Sequence, residues 1–268
     1  MLGFHVVSRA SAITSVLIAF VAAGCNSSTP PADFASNPAP KPGATSIPAE
    51  EIEPEPDRSN QVLRHAVFFA FKPTSSEAEI EEVVDAFRAL PSKIGTIVDF
   101  QWGTNNSPEG KDDGFTHCFL LTFQDEAGRA AYLPHEAHKA FGDVLRPHME
   151  KVFVIDYWGT PYVPLERELK HAVFFKFKHD AGTDAIEAVE DSFAALPSKI
   201  AAIKTFEWGT NNSPEKHDQG FTHCFMLGFD SEEGRAEYLP HPDHKAFGSS
   251  LGPVLDQVRV LDFWAQQP

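Results

Sequence analysis

An internal repeat is the feature that most constrains the fold of this chain. The segment Tyr132–Lys139 returns as Tyr238–Lys245, 106 positions later, and from residue 65 to residue 158 the landmarks recur at that offset without a gap. Self-similarity of this kind indicates a duplicated domain, and the short stretch 159–170 between the copies is expected to hold them close together. The other landmark pairs are His65–Phe69 with His171–Phe175, Leu90–Lys93 with Leu196–Lys199, Trp102–Glu109 with Trp208–Glu215, and Gly114–Phe119 with Gly220–Phe225.

Each copy has the periodicity of a β-α-β-β-α-β domain. Residues 65–72 form an apolar run rich in aromatic residues, which is typical of a strand. Apolar residues then recur at helical spacing from Ile80 to Leu90, after Ser75 and Ser76 as candidate N-caps. The remaining predicted strands are residues 97–102, 115–123 and 151–158, and the remaining helical segments are residues 125–133 and 135–148.

Both faces of the predicted sheet are apolar. Because side chains alternate along a strand, Val67 and Phe69 share one face with His65, while Ala66 and Phe68 share the other. A sheet with two apolar faces needs two covers, and the helices of the domain supply one of them. We therefore predict an α+β fold. Two ferredoxin-like (βαββαβ) domains, residues 62–160 (domain 1) and 161–268 (domain 2), pack sheet to sheet as an intrachain dimeric α+β barrel.

The charge balance excludes nucleic acid as the main partner. The net charge is −16, and the 22 lysine and arginine residues form no basic run, so the chain as a whole repels a phosphate backbone. A hydrophobic content of 42%, with 23 phenylalanines among 268 residues, is ample for the cores of two domains.

The N-terminal segment predicts export. Residues 10–23 are an apolar run of signal-peptide length, and the sequence Val-Ala-Ala-Gly-Cys that ends at Cys25 resembles the lipobox of bacterial lipoproteins. We expect residues 1–24 to be a lipoprotein-type signal peptide and Cys25 to carry lipid that anchors the exported protein to a membrane, in the periplasm or at the cell surface. An ordinary secretory signal is the alternative. Residues 25–61, rich in proline, serine and glutamate, are expected to be a disordered tether.

Histidines and a tyrosine from several elements are predicted to converge. Tyr132, His135 and His138 come from the helical layer, and His65 and His117 come from the strand face that the helices cover. The expected result is one mainly aromatic cavity between sheet and helices in each domain, with a few polar groups pointing inward. The candidate ligand-binding residues are His65, His117, Phe87 and Phe141 in domain 1, and His171, His223, Phe193 and Phe247 in domain 2.

A combination of motifs carries a resemblance to a known family. They are His65 on its apolar strand, Trp102-Gly103, Gly114-Phe115-Thr116-His117, Tyr132-Leu133-Pro134-His135-x-x-His138 and Asp156-Tyr157. Together they resemble the stress-responsive dimeric α+β barrel (Dabb) family over nearly all of both copies. The pocket residues also resemble those of a plant polyketide cyclase in this family, which closes a linear polyketide by aldol condensation.

The cyclase resemblance implies roles for individual residues. His138 and His244 match its base, Tyr132 and Tyr238 match the partner on the acid side, and the strand histidines match pocket residues. A neutral imidazole can take a proton from a carbon next to a carbonyl, and a phenol can stabilise the resulting oxygen charge, so such chemistry needs no cofactor. The sequence departs from the cyclase at Phe87 and Phe193, which replace a pocket tyrosine, so substrate contacts must differ.

Several functions stay open at this point. The first hypothesis is binding of a small apolar or aromatic molecule in each domain, the second is a cofactor-free lyase or cyclase, and the third is a structural module whose cavities are filled by side chains. His135 and His138 have the spacing of metal ligands, but no carboxylate or thiol obviously joins them, so no metal site is expected. His135 is also a candidate helix-junction residue, and Asp156 and Asp262 are interpreted as structural carboxylates.

Overall fold

The computed structural model describes residues 57–162 and 164–268. The predicted signal peptide, Cys25 and most of the predicted tether therefore lie outside the described residues. Within the two described ranges, no helix has both the length and the apolar character needed to cross a membrane.

Domain 1 has the predicted order of elements. Ser76 caps the first helix, since its side chain accepts a hydrogen bond from the backbone N–H of Glu79 and the Glu79 side chain accepts one from Ser76 in return. His135 separates the second and third helices, and its Nδ1 accepts a hydrogen bond from the Ala137 N–H, which confirms it as a helix-junction residue. The elements are β1 (Val62–Phe71), α1 (Glu77–Arg88), β2 (Ile97–Thr104), β3 (His117–Phe123), α2 (Glu126–Tyr132), α3 (Glu136–Leu145) and β4 (Met149–Gly159).

Domain 2 repeats this order with one extra short helix after its first long helix. Its elements are β5 (Leu169–Phe177), α4 (Thr183–Ala194), α5 (Leu196–Lys199), β6 (Thr205–Thr210), β7 (His223–Phe229), α6 (Glu232–Tyr238), α7 (Pro242–Ser250) and β8 (Leu255–Trp264). Each domain forms one antiparallel four-stranded sheet, in the order β2-β3-β1-β4 and β6-β7-β5-β8. This is the ferredoxin-like arrangement.

The core is divided into three layers, as the two-faced strands predict. Val67 and Phe69 pack under the helices of domain 1, while Ala66 and Phe68 point to the opposite face and contact domain 2 side chains, such as Phe174, in a shared barrel core. A third cluster lies under the helices of domain 2. The sheet-to-sheet barrel is therefore confirmed. Phe115 was predicted to begin the third strand, but it precedes β3, which starts at His117, and it packs in the barrel core.

Polar and backbone contacts close the barrel at its seams. Trp102 and Gln266 exchange two backbone hydrogen bonds of 3.0 and 2.9 Å between the domains. At another seam, the buried Arg64 guanidinium forms an ion pair of 3.0 Å with Glu207, whose carboxylate also accepts a hydrogen bond from the Tyr157 hydroxyl at 2.9 Å. These contacts tie the two sheets together in one register.

Candidate functional site

Each domain contains a cavity between its sheet and its helices. The cavity of domain 1 (the first cavity) has a volume of about 290 Å³ and that of domain 2 (the second cavity) about 340 Å³. These volumes lie at the lower end of the range for small-molecule sites. The first cavity is lined by His65, Val67, Phe69, Phe87, Tyr132, Leu133, His138, Lys139, Phe141, Gly142, Leu145, Arg146, Met149, Val152, Val154, Glu215 and His217.

Tyr132 and His138 lie side by side in the first cavity. Their ring centroids are 4.3 Å apart, since Tyr132 ends α2 and His138 lies in the first turn of α3, across the junction at Pro134. The carbonyl oxygen of Leu133 can only accept a hydrogen bond, so His138 Nδ1, 3.0 Å away, carries the proton and Nε2 keeps its lone pair. Burial lowers the pKa of His138, which favours the neutral ring.

Tyr132 is fully buried, and among the described residues its hydroxyl has no hydrogen-bond partner. Burial, with the Glu215 and Asp156 carboxylates nearby, raises the pKa of Tyr132 well above its ordinary value. The phenol therefore stays protonated and can donate a hydrogen bond. In domain 2, Tyr238 and His244 repeat the arrangement, with ring centroids 4.2 Å apart and a bond of 3.0 Å from His244 Nδ1 to the Leu239 carbonyl.

His65 is held in the same cavity by a buried carboxylate. Its Nδ1 donates to Asp156 Oδ1 at 2.6 Å across the β1–β4 pairing, and Asp156 Oδ2 accepts from Arg129 Nη1 at 2.7 Å. Burial alone would lower the pKa of His65, but the Asp156 and Glu215 carboxylates together raise it. Domain 2 repeats the chain with His171 Nδ1 to Asp262 Oδ1 at 2.7 Å and Arg235 Nη1 to Asp262 Oδ2 at 2.8 Å.

Each site is completed by a loop from the other domain. Arg129 Nη1 also donates to the Oδ1 of Asn212 at 2.7 Å, and the Asn212 N–H donates to the Asp156 carbonyl at 2.8 Å. The loop 211–222 is thereby fixed against β4, and it places Glu215 in the wall of the first cavity, with Oε2 3.8 Å from His65 Nε2. The loop 105–116 does the same for domain 2, where Glu109 Oε1 lies 3.8 Å from His171 Nε2.

The structure brings most, but not all, of the predicted residues together. His65, Phe87, Tyr132, His138 and Phe141 line the first cavity, and their counterparts His171, Phe193, Tyr238, His244 and Phe247 line the second.

His117 and His223 lie elsewhere, which corrects the expectation that they face the same cavities. The sheet register pairs His117 with Phe69 and His65 with Leu121, so the two histidines are separated by four residues along the strands, about 13 Å. His117 contacts Phe71, and His223 Nε2 lies 2.7 Å from Glu190 Oε1.

Sequence reasoning missed Arg129, Glu215 and Asn212, together with their counterparts Arg235, Glu109 and Asn106. One signal was available, since all three pairs are identical in the two copies. Asp156 was interpreted as a structural carboxylate, and its place behind His65 makes it a positioning group for that ring. Within residues 57–162 and 164–268, no three His, Cys, Asp or Glu side chains are grouped so that they could hold a metal ion.

Comparisons with known proteins agree with this architecture. The model of the stress responsive A/B barrel domain family matches residues 63–159 and 169–265. A stress-response A/B barrel domain-containing protein of Arabidopsis thaliana, HS1, is 37% identical over 95 residues, which cover 35% of this chain and 87% of that protein. Olivetolic acid cyclase of Cannabis sativa is 33% identical over 95 residues, which cover 35% of this chain and 94% of the cyclase. Among solved structures, an anthrone oxidase-like protein has a TM-score of 0.54 and 10% identity, covers 78% of this chain and 92% of its own, and shows a likeness of fold alone.

Proposed function

This chain belongs to the stress responsive A/B barrel domain family, with two copies of the domain in tandem, and we propose that each copy binds a small, mainly apolar or aromatic molecule in its cavity. One observation carries this proposal. In a cavity whose walls combine aromatic and aliphatic side chains with a few polar groups, the hydroxyl of the fully buried Tyr132 has no hydrogen-bond partner among the described residues. A buried polar group without a partner costs about 1–3 kcal/mol, and a ligand with a matching polar group removes that cost.

The aromatic packing supports binding over a filled cavity. Phe69, Phe87, Phe119 and Phe141 contact one another, with the rings of Phe87 and Phe141 stacked at 4.4 Å. Phe69, Phe87 and Phe141 form part of the cavity wall and still leave about 290 Å³ beside His138. A purely structural module has no need of this space, because a void in a core destabilises the fold.

The test fills each cavity with a side chain. Gly142 and Gly248 lie on the helices that line the first and second cavities. A Cβ at Gly248 meets nothing within 4 Å, and one at Gly142 meets only the end of the flexible Arg146 side chain at 3.0 Å. Both glycines line their cavities, so a leucine side chain at either position is expected to take up cavity volume, and leucine favours the helix over glycine by about 0.8 kcal/mol.

Calorimetric titration with para-butylphenol gives the readout. The expected stoichiometry is two molecules per chain for the original protein, one for Gly142→Leu, one for Gly248→Leu and none for the double variant. Circular dichroism and the thermal midpoint show that each variant is folded. Binding by the double variant with the original stoichiometry would place the ligand elsewhere and refute the proposal.

A cofactor-free lyase or cyclase is the second candidate, and the His138–Tyr132 pair favours it. His138 Nε2 has a free lone pair to take a proton from a carbon next to a ligand carbonyl. The Tyr132 hydroxyl can donate a hydrogen bond to the carbonyl oxygen as it gains charge. A relative that is 33% identical carries the name olivetolic acid cyclase, which supports a polyketide-like substrate for this chemistry.

The enzyme proposal is separated from simple binding by the double variant His138→Gln, His244→Gln. With β-polyketone substrates, turnover is expected to fall by about 10² to 10⁴ while the affinity for para-butylphenol stays within a few-fold, because only the base is removed. The single variants His135→Gln and His241→Gln, at the helix junctions, serve as controls. Equal turnover by the double variant and the original protein would exclude these histidines as bases.

We also propose that the chain is exported and held on a membrane through lipid on Cys25, which would place both cavities outside the cytoplasm. The support is the lipobox-like sequence that ends at Cys25 and the apolar run before it. In cell fractionation, Cys25→Ala is expected to move the protein from the membrane fraction to the soluble fraction. A variant that remains in the membrane fraction would refute lipid anchoring.

A further inference from the structure

The two cavities differ in whether the glutamate that the opposite domain supplies forms an ion pair with a lysine. Building on the proposed binding function, we propose that the first cavity selects ligands with a hydroxyl that donates a hydrogen bond, such as a phenol or an enol, and that Glu215 is the residue that determines this selectivity. The second cavity, whose Glu109 is paired with a lysine, lacks the selectivity.

Glu215 presents an acceptor in the first cavity. Its Oε2 is buried and makes no hydrogen bond to any residue that the structure describes. His65 Nε2 lies 3.8 Å from this oxygen, too far for a hydrogen bond. The Tyr132 hydroxyl, in the same cavity, is also without a partner in the described part of the chain. Because both residues line the first cavity, a ligand hydroxyl placed between them would donate to the carboxylate and accept from the phenol.

In the second cavity the equivalent carboxylate is already engaged. Glu109 Oε2 forms an ion pair of 2.7 Å with Lys111 Nζ, two residues along the same loop. The position that corresponds to Lys111 in the other loop is His217, which is exposed and forms no ion pair with Glu215 among the described residues. Among the described residues the Tyr238 hydroxyl also has no hydrogen-bond partner, so the cavities share the phenol and differ at the carboxylate.

The expected selectivity follows from the strength of a hydrogen bond to a charged acceptor. A phenol that donates to a free carboxylate gains about tenfold to a hundredfold in affinity over its methyl ether, which has no proton to donate. In the second cavity the ammonium group of Lys111 binds Oε2 of Glu109 and offsets the charge of the carboxylate, so a hydrogen bond to the remaining oxygen, Oε1, is weaker. The two probes should therefore bind there with similar affinities.

The test compares para-butylphenol with para-butylanisole in single-cavity proteins. With Gly248→Leu, which leaves the first cavity open, the phenol is expected to bind at least tenfold more tightly than the ether. Adding Glu215→Met should bring the ratio close to one, and Glu215→Gln, which keeps a neutral acceptor, should give an intermediate ratio. With Gly142→Leu, which leaves the second cavity open, the ratio is expected to be close to one.

Lys111→Met is the matched variant for the second cavity, and it is expected to create there the selectivity that Glu215→Met removes from the first cavity. In the Gly142→Leu protein it frees Glu109, and the change in the wall of the second cavity, which Lys111 lines, acts on both probes, so the ratio of phenol to ether affinity should rise by about tenfold. Equal binding of the two probes to the Gly248→Leu protein, or an unchanged ratio after Lys111→Met, would overturn the selectivity and leave the proposed binding function intact. Failure of both probes to bind the unsubstituted protein would overturn the binding function itself, and the selectivity with it.

Discussion

Replacing Asp156 with asparagine is expected to weaken both the fold and the orientation of His65. The carboxylate is fully buried and receives two charge-assisted hydrogen bonds, from His65 Nδ1 at 2.6 Å and from Arg129 Nη1 at 2.7 Å. Asparagine is almost isosteric with aspartate, but it has one carbonyl oxygen in place of two carboxylate oxygens. That oxygen can accept a hydrogen bond from only one of the two partners, which lie on opposite sides of the group. The other partner would face an NH₂ donor.

The magnitude follows from what remains around Arg129. Removing one member of a buried ion pair costs about 3–5 kcal/mol, because it leaves an uncompensated charge. Arg129 Nη1 keeps its bonds to Asn212 Oδ1 at 2.7 Å and to the Asn212 carbonyl at 3.1 Å, so the cost is expected near the lower limit, about 3 kcal/mol. Asp262→Asn in domain 2 should cost a similar amount.

The loss of stability caused by Asp156→Asn should depend on pH in a defined direction. Burial opposes the charging of His65, but Asp156 and Glu215 raise its pKa in the folded protein. The resulting stability is present below the unfolded pKa, about 6.5, and is lost as the pH rises through the folded pKa. Asp156→Asn removes the larger of the two carboxylate effects, so the pKa of His65 should fall, and the loss of stability should be greater at about pH 6 than at higher pH.

Urea denaturation at a series of pH values and NMR titration of the His65 ring are the assays. Asp85→Asn is the control, since Asp85 is exposed and, within the described part of the chain, pairs only with Arg88 on its own helix; it should change the free energy of unfolding by less than about 0.5 kcal/mol. An Asp156→Asn protein with a free energy of unfolding within about 0.5 kcal/mol of the original, or with an unchanged His65 pKa, would refute the reasoning.

Three further outcomes are expected. Gly103→Ala should lower the free energy of unfolding, measured by thermal unfolding, by about 1–3 kcal/mol, because the new Cβ would lie 2.6 Å from a carbonyl oxygen of β8. The control Gly95→Ala, whose Cβ meets nothing within 4 Å, should leave the free energy of unfolding unchanged. Arg64→Met should lower the free energy of unfolding by about 3–5 kcal/mol, and adding Glu207→Met should recover most of it; a double variant no more stable than the single one would contradict this. Burial lowers the pKa of His138, so NMR should find it below about 6.5, and any turnover through this base should rise with pH across that pKa and then level off.

The fold was predictable because its determinants are local or repeated. Alternation along β1 separates Val67 and Phe69 from Ala66 and Phe68, and the structure places the two sets in different core layers. The duplication then predicted a second sheet, which covers the apolar face that the helices of the first domain leave uncovered. Even the helix junction at His135 followed from a proline and a capping residue in adjacent positions.

The site was predictable only in part, because its remaining groups depend on contacts between distant segments. Face alternation put His117 on the correct side of the sheet, but its position along the strand depends on the register with Phe69, which no local pattern specifies. Glu215 reaches the first cavity only because loop 211–222 crosses to the other domain, where Asn212 bonds to Arg129. A sequence can show that these residues recur in both copies, but it does not show which domain's cavity they line.

Each domain has a cavity that a loop of the other domain completes, and we propose that both cavities bind a ligand. A crystal structure of the full chain with para-butylphenol tests it most directly. The account predicts the ring in both cavities, with the hydroxyl oxygen within hydrogen-bond distance of both Tyr132 and Glu215 in the first. Ligand bound outside both cavities, or a first-cavity hydroxyl that avoids Tyr132 and Glu215, would contradict it.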